Sequence, residues 1–181
     1  MEEHLDLESL ISGCKAGENE AFGRLVDIYA SRCYGYFYRL CGNAEISDDL
    51  LSKLFLRVVR KIGSFKGGSF DKWLFTAAAN IFRDYLRSEY RRKKMLASKA
   101  KELKTEKPMT RAEADMSSKL QVQLERLDAE TSELLMLRFY GGFSFKELAA
   151  MRGEPVGTTL SKVHRGLKKL RELMGQSDDW K

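Results

Sequence analysis

Apolar residues recur three and four positions apart through most of the chain, the spacing of one helical face and not the alternation of a half-buried strand. Leu7, Leu10, Ile11 and Cys14 mark a first short helix, with Gly17 placed as its C-terminal cap. Asn19 is placed to cap a second helix, whose apolar positions Phe22, Leu25, Val26, Ile28, Tyr29, Cys33, Tyr36, Phe37 and Leu40 run towards Gly42. A third helix is predicted from about Glu45 to Ile62, burying Leu50, Leu51, Leu54, Phe55, Val58 and Ile62. Its charges suit the helix dipole, with Asp48 and Asp49 early and Arg57, Arg60 and Lys61 late. Trp73, Leu74, Ala77, Ile81, Tyr85 and Leu86 then mark a fourth helix, which closes a four-helix bundle.

The periodicity stops beyond this point. Lys99 to Pro108 is highly charged and has too few apolar residues to contribute to a core. The pattern therefore predicts a domain over 5–94, a charged linker over 95–114 and a second helical unit over 115–175. In that unit Leu120, Leu124 and Leu127 mark one helix, and Asp128 can cap the next, which carries Leu134, Leu135, Leu137 and Phe139 before Gly141-Gly142. Ser144-Phe145-Lys146-Glu147 fits a capping box, with Phe143 and Leu148 placed as the accompanying hydrophobic staple.

A helix starting there stops at Gly153, and Pro155 stands where a proline opens another. A short helix, a glycine turn and a longer helix make a helix-turn-helix. Val156, Leu160, Val163, Leu167 and Leu170 are expected to hold the last helix in place, leaving Thr158, Ser161, Lys162, Arg165 and Lys169 on its other sides. Such a helix can present cations and hydroxyls to base edges and phosphates in a major groove. An αα-hairpin with a solvated basic face satisfies the same pattern.

The stretch from Ser64 to Lys94 changes the picture further. Its opening loop, Ser64-Phe65-Lys66-Gly67-Gly68-Ser69-Phe70, pairs two glycines that permit positive φ with flanking aromatic rings. The helix after it ends in Arg91-Arg92-Lys93-Lys94. Rings beside cations suit a single-stranded nucleic acid, because bases stack on aromatic faces while Lys and Arg follow the phosphates. A core helix with a solvated basic end fits the segment read alone.

Composition narrows the class. Two prolines in 181 residues and 43% apolar residues agree with an all-α protein able to bury a core. A net charge of +6 favours a polyanionic partner. The acidic start Met1-Glu2-Glu3-His4-Leu5-Asp6 does not resemble a signal peptide, and no apolar stretch reaches membrane-spanning length, so a cytoplasmic location without membrane insertion is expected. Cys14, Cys33 and Cys41 lack paired spacing and read as small buried thiols. With His4 and His164 the only histidines and no glycine-rich phosphate loop, no catalytic, metal or cofactor site is predicted and the chain does not read as an enzyme.

Taken in order, these fragments resemble the extracytoplasmic-function sigma factors of bacterial RNA polymerase, in the sigma-70 family, across almost the whole chain. Lys15-Ala16-Gly17-Glu18-Asn19-Glu20-Ala21-Phe22 looks like the opening of the family's region two, and Asp49-Leu50-Leu51 with Phe55-Leu56-Arg57-Val58 like its core-binding helix. Phe65 to Phe70, Trp73-Leu74, Ala79-Asn80 and Asp84-Tyr85-Leu86-Arg87 look like its promoter-melting segment. Leu137-Arg138-Phe139, Phe143 to Ala149, Pro155-Val156-Gly157-Thr158 and Ser161 to Arg165 are similar to region four. The resemblance implies a four-helix region-two domain joined by the linker to a helix-turn-helix region-four domain.

It further implies a transcription-initiation factor that binds core RNA polymerase, melts the minus-ten element of promoter DNA with its first domain and reads the minus-thirty-five element with its second. An anti-sigma partner is implied as well. Carried over by position, Asp48, Asp49, Leu51 and Phe55 would bind core polymerase. Phe65, Lys66, Ser69, Trp73, Asn80, Arg87, Arg91 and Arg92 would contact the exposed strand, the loop receiving a flipped base. Thr158, Ser161, Lys162, His164 and Arg165 would contact the duplex, Lys162 through a phosphate. Trp73 reads equally well as core beneath the loop.

Departures from the family pattern bear on partners. Ser52-Lys53 stands where Gln-Glu is common, shortening one acceptor and reversing one charge, and Leu160 stands where Lys or Arg is common. Leucine can meet a thymine methyl but donates to no phosphate or guanine. Thr159 and Gly166 replace commoner apolar or small residues, and Gly166 should cost its helix up to about 1 kcal/mol relative to Ala. The competing reading is a stand-alone helix-turn-helix regulator, which would bind duplex without polymerase and has no evident use for the Ser64 to Lys94 segment.

Overall fold

A computed structural model of the chain describes residues 2–99 and 116–175, with side chains for 7–96 and 119–175. The described residues form eight α-helices: α1 (Glu2–Ala16), α2 (Asn19–Cys41), α3 (Ala44–Lys61), α4 (Phe70–Lys99), α5 (Met116–Leu124), α6 (Ala129–Phe139), α7 (Phe145–Arg152) and α8 (Val156–Leu173). A 3-10 turn at Ile62–Ser64 leads from α3 into the loop before α4. No strand occurs among the described residues, as the periodicity requires.

α2 is the axis of the first unit. Its face of Leu25, Tyr29, Cys33, Tyr36 and Phe37 is buried against Leu50, Leu54 and Val58 of α3 and Leu74, Phe75, Ala78 and Phe82 of α4, with Leu10, Ile11 and Cys14 of α1 adding to the same cluster. The residues at i, i+4 and i+8 in the α2, α3 and α4 sets explain why a helix-period sequence yields this packing. Burial pushes the Cys33 and Cys41 thiols up to about 12 and raises that of Cys14, so all three sit as protonated thiols among apolar neighbours.

Local signals account for most helix ends. Asn43 Oδ1 accepts from the Ile46 N–H at 2.9 Å and Asp128 Oδ1 from the Thr131 N–H at 2.8 Å, so both residues cap as their side chains dictate. The capping box at Ser144 is complete, with Glu147 Oε2 accepting from the Ser144 N–H at 2.9 Å, and Phe143 and Leu148 are both buried. Asn19 departs from expectation: it is the first residue of α2, Glu18 occupies the cap, and no side chain caps that end. Pro155 likewise precedes α8 as its cap residue and is not its first helical residue. α4 continues to Lys99, past the point where periodicity weakens, while residues 100–114 of the predicted linker lie outside the described residues.

The two helical units are docked. α6 packs on α2 and α4, and Tyr140 meets the fully buried Tyr36 edge-to-face with ring centroids 6.5 Å apart. Arg32 of α2 donates to the Tyr140 carbonyl, and Gln121 Nε2 donates to the Arg39 carbonyl at 3.4 Å. Leu124, Leu134, Leu135, Leu137, Phe143, Leu148 and Val163 therefore belong to one apolar cluster with the first unit's core.

Candidate nucleic-acid interface

The loop before α4 has the backbone its glycines foreshadow. Gly67 and Gly68 have φ of 103° and 89°, in the left-handed region where a Cβ is strained. Ser69 ends the loop, its Oγ accepting from the Lys72 N–H at 3.3 Å, so this candidate contact residue also caps α4. Two anchors fix the loop's ends. Lys15 Nζ donates to the Phe65 carbonyl at 2.7 Å and lies 5.6 Å from that ring's centre. Asp71 accepts from Arg32 and from the Tyr29 hydroxyl at 3.4 Å; burial first, and then the Asp71 charge, push that phenol up to about 12.

Phe65 is buried and meets Phe70 and Trp73 edge-on at 5.5 and 5.7 Å, while Phe70 and Trp73 stack at 5.5 Å. Trp73 is half-buried, so it is both a wall of the core and a partly accessible ring, and Lys66 in the preceding loop is exposed. Phe65 itself has little surface to offer a base.

Along α4, Lys72, Thr76, Asn80, Arg83 and Arg87 follow at spacings of four, eight, eleven and fifteen, which places them within about 80° of one another around the helix. Asn80 and Arg87 are exposed, and Arg91 and Arg92 extend the exposed basic run. Arg83 Nη1 donates to Asn80 Oδ1 at 3.4 Å, Arg87 to Asp84 at 3.1 Å and Arg92 to Glu89 at 2.8 Å. Such surface pairs contribute roughly 0–1 kcal/mol and yield readily to a phosphate.

A second surface lies on α8. Thr158, Ser161, His164 and Arg165 are all exposed on its outer side, with Arg165 Nε donating to the Ser161 carbonyl at 3.3 Å. The inner side differs from the predicted stripe. Thr159, Val163 and Gly166 are buried, whereas Val156 and Leu160 are 41% and 47% exposed. Thr159 is accommodated because its hydroxyl donates to Glu154 Oε1 at 2.6 Å. Lys162 is also not a loose cation: it donates to Glu130 and Glu154, each at 2.6 Å, and those bonds raise its pKa. Phe139, expected in the core of α6, is 62% exposed.

On α3, Asp48 and Asp49 are exposed while Leu51 and Phe55 are half-buried against the core. Lys53 donates to Asp49 at 2.5 Å, so the reversed charge in this helix masks one of its own carboxylates. The residues that sequence reasoning did not single out are Lys15, Arg32, Asp71, Lys72 and Arg83. Only Lys72 and Arg83 carried a signal, their register with Asn80 and Arg87.

The arrangement offers phosphate partners and an aromatic loop on one helix, and a polar, basic helix face on another. Comparison with known proteins agrees in both places: residues 25–92 match Sigma-70 region 2, and residues 117–170 match Sigma-70, region 4. The RNA polymerase sigma factor CarQ of Myxococcus xanthus is 34% identical over 165 residues, covering 88% of this chain and 92% of CarQ. The ECF RNA polymerase sigma factor BldN of Streptomyces coelicolor is 32% identical over 170 residues, covering 91% of this chain and 64% of BldN. The solved structure of the sigma factor RpoE in complex with the anti-sigma factor NepR, from Bartonella quintana, shares the fold at a TM-score of 0.68 with 24% identity, covering 88% of this chain and 98% of that one. The chain belongs to the sigma-70 family of RNA polymerase sigma factors, in its extracytoplasmic-function group.

Proposed function

We propose that the chain binds bacterial core RNA polymerase and directs it to promoters, opening the minus-ten element with the unit over 5–94 and reading the minus-thirty-five element with the unit over 115–175. The carrying observation is the pairing of two unlike nucleic-acid surfaces: an aromatic, glycine-hinged loop continuing into the Asn80 and Arg87 stripe, and the exposed Thr158, Ser161, His164 and Arg165 face of α8. The first suits a single strand, on which bases stack and phosphates pair with cations. The second suits duplex, whose major groove admits a helix.

In this reading Lys66, Ser69, Trp73, Asn80, Arg87, Arg91 and Arg92 hold the displaced strand, and Phe65 acts through Trp73 by supporting it from below. Asp48, Asp49, Leu51 and Phe55 contact core polymerase, with Asp49 competing against its own Lys53. Lys162 reaches a phosphate only by leaving Glu130 and Glu154. The chain contributes binding and positioning, and phosphodiester chemistry stays with the polymerase. It acts where the polymerase acts, in the cytoplasm; among the described residues no helix is long and apolar enough to cross a membrane. Because RpoE of Bartonella quintana was solved with an anti-sigma factor, an anti-sigma partner is proposed here too.

Promoter binding and strand opening by the full chain, with and without core polymerase, test this. Opening should require both, Asn80→Ala should lose opening, and Arg165→Ala should lose upstream binding. Tight duplex binding by the chain alone, unchanged by core and without opening, would establish a stand-alone regulator instead.

A further inference from the structure

The docked second unit is held to α4 by two cations that share the strand-binding side of that helix. Lys72 Nζ lies 2.6 Å from Glu147 Oε1, a carboxylate already fixed by the α7 capping box. Arg83 Nε lies 2.8 Å from Glu133 Oε1 of α6, an ion contact without hydrogen-bond alignment. Glu133 is 5% exposed and is held from its other side by Arg152 of α7 at 2.7 Å. Both carboxylates come from the second unit and both cations from α4. Lys72 stands beside Trp73, and Arg83 also donates to Asn80. A carboxylate on an Arg or Lys is what a phosphate on the same group resembles, in charge and in acceptor geometry.

We propose that Lys72 and Arg83 are two further contacts for the phosphates of the exposed strand, and that Glu147 and Glu133 occupy them in the docked chain, so that second unit and strand compete for the same two cations. The proposal rests on the single-strand reading of the α4 surface. It gives docking a function: the chain free of polymerase carries its own polyanion, and engagement of the second unit elsewhere returns both cations to the strand surface.

Glu147→Gln isolates the effect, because glutamine at the third helical position still completes a capping box while losing the charge opposite Lys72. Full-length chain would be titrated against a labelled non-template-strand oligonucleotide over a series of salt concentrations. Glu147→Gln should tighten binding by roughly two- to five-fold, the range of an exposed ion pair. The slope of log affinity against log salt should steepen by about 0.7, the increment for one more phosphate neutralised on a single strand. Lys72→Gln in the Glu147→Gln background should abolish both gains.

An unchanged affinity and slope for Glu147→Gln, with Asn80→Ala still losing strand binding, would overturn the competition while leaving the strand surface standing. Gains that persist in the Lys72→Gln double variant would overturn Lys72 as a phosphate contact. Loss of nothing on Asn80→Ala would instead remove the single-strand reading itself. Glu133→Gln makes the same test at Arg83; Glu147→Gln remains decisive if that buried substitution disturbs folding.

Discussion

Gly166 sets two physical effects against each other, and they predict opposite signs. Helix propensity alone makes Gly166→Ala stabilising by up to about 1 kcal/mol, since glycine sits mid-helix in α8. The structure places a Cβ at that position against Thr131 Cγ2 of α6, closer than real Cβ atoms approach, with Leu135 Cδ1 behind it at 3.5 Å. Thr131 is β-branched and its N–H is engaged by the Asp128 cap, which fixes the backbone that carries the methyl, so relief requires either a change of the Thr131 rotamer or a shift of α8 off α6. Overpacking of this kind costs roughly 1–3 kcal/mol, which outweighs propensity and leaves a net loss of about 1 kcal/mol.

For a chain of this size that loss corresponds to a fall in midpoint temperature of about 2–4 °C. Thermal and urea unfolding of wild type, Gly166→Ala, Thr131→Ala and the double variant measure it. Removal of the Thr131 methyl should turn the alanine from destabilising to stabilising, and the lost threonine hydroxyl cancels around the cycle. Stabilisation by Gly166→Ala in both backgrounds would refute the reasoning and return the residue to a simple propensity defect.

Other expectations follow from single sites. The Tyr36 hydroxyl is buried and, among the described residues, has no hydrogen-bond partner, so Tyr36→Phe should raise stability by about 1 kcal/mol in urea unfolding; a lower midpoint would show that the hydroxyl is satisfied. Leu54 is fully buried at the α2 and α3 contact, and Leu54→Ala should cost about 2–5 kcal/mol by the same measurement, where a cost under 1 would mean that the bundle closes over the gap. Glu147 is held down from 4.5 to about 2, first by its bond from Lys72 and then by the Ser144 N–H and hydroxyl. With the folded value below the unfolded one, its contribution is complete above the ordinary carboxylate range and is lost as pH falls through about 2. Wild type should therefore lose stability on acidification more steeply than Glu147→Gln, and parallel midpoint-against-pH curves would contradict the assignment.

What could be read in advance was whatever the chain encodes locally. The capping box needs only Ser144 and Glu147, three positions apart, and the left-handed loop needs only Gly67 and Gly68. Both appear as predicted. Asn80, Arg87, Ser161, His164 and Arg165 are exposed where a contact surface requires them. The apolar stripe predicted for α8 departs from the structure at Val156 and Leu160, because side-chain class does not by itself decide burial: Thr159 goes inside once Glu154 accepts its hydroxyl, and the stripe rotates. Asn19 did not cap α2, since a capping residue type fixes a helix start only to within a residue or so.

The interdomain partners were illegible for a different reason. Glu133 reads as one more polar residue on an amphipathic helix, and nothing near it in sequence announces Arg83, fifty positions upstream. Its pKa is raised by burial, against the opposing pull of Arg83 and Arg152, a balance set wholly by tertiary packing.

That buried carboxylate also decides how the two halves of the molecule can part. Three apolar side chains in its place would hold as well or better, since desolvation offsets much of the attraction in a buried ion triad, but they would tolerate sliding and many neighbouring registers. A charge that must find guanidinium on both sides accepts one alignment. On separation Glu133 keeps Arg152 from its own unit and gains water where Arg83 had been, so the ionic part of the seam is solvated on both sides even though the Tyr36 and Tyr140 contact beside it is opened. The joint behaves as a keyed latch, in which charge sets the closed alignment and the apolar contact beside it supplies the hold.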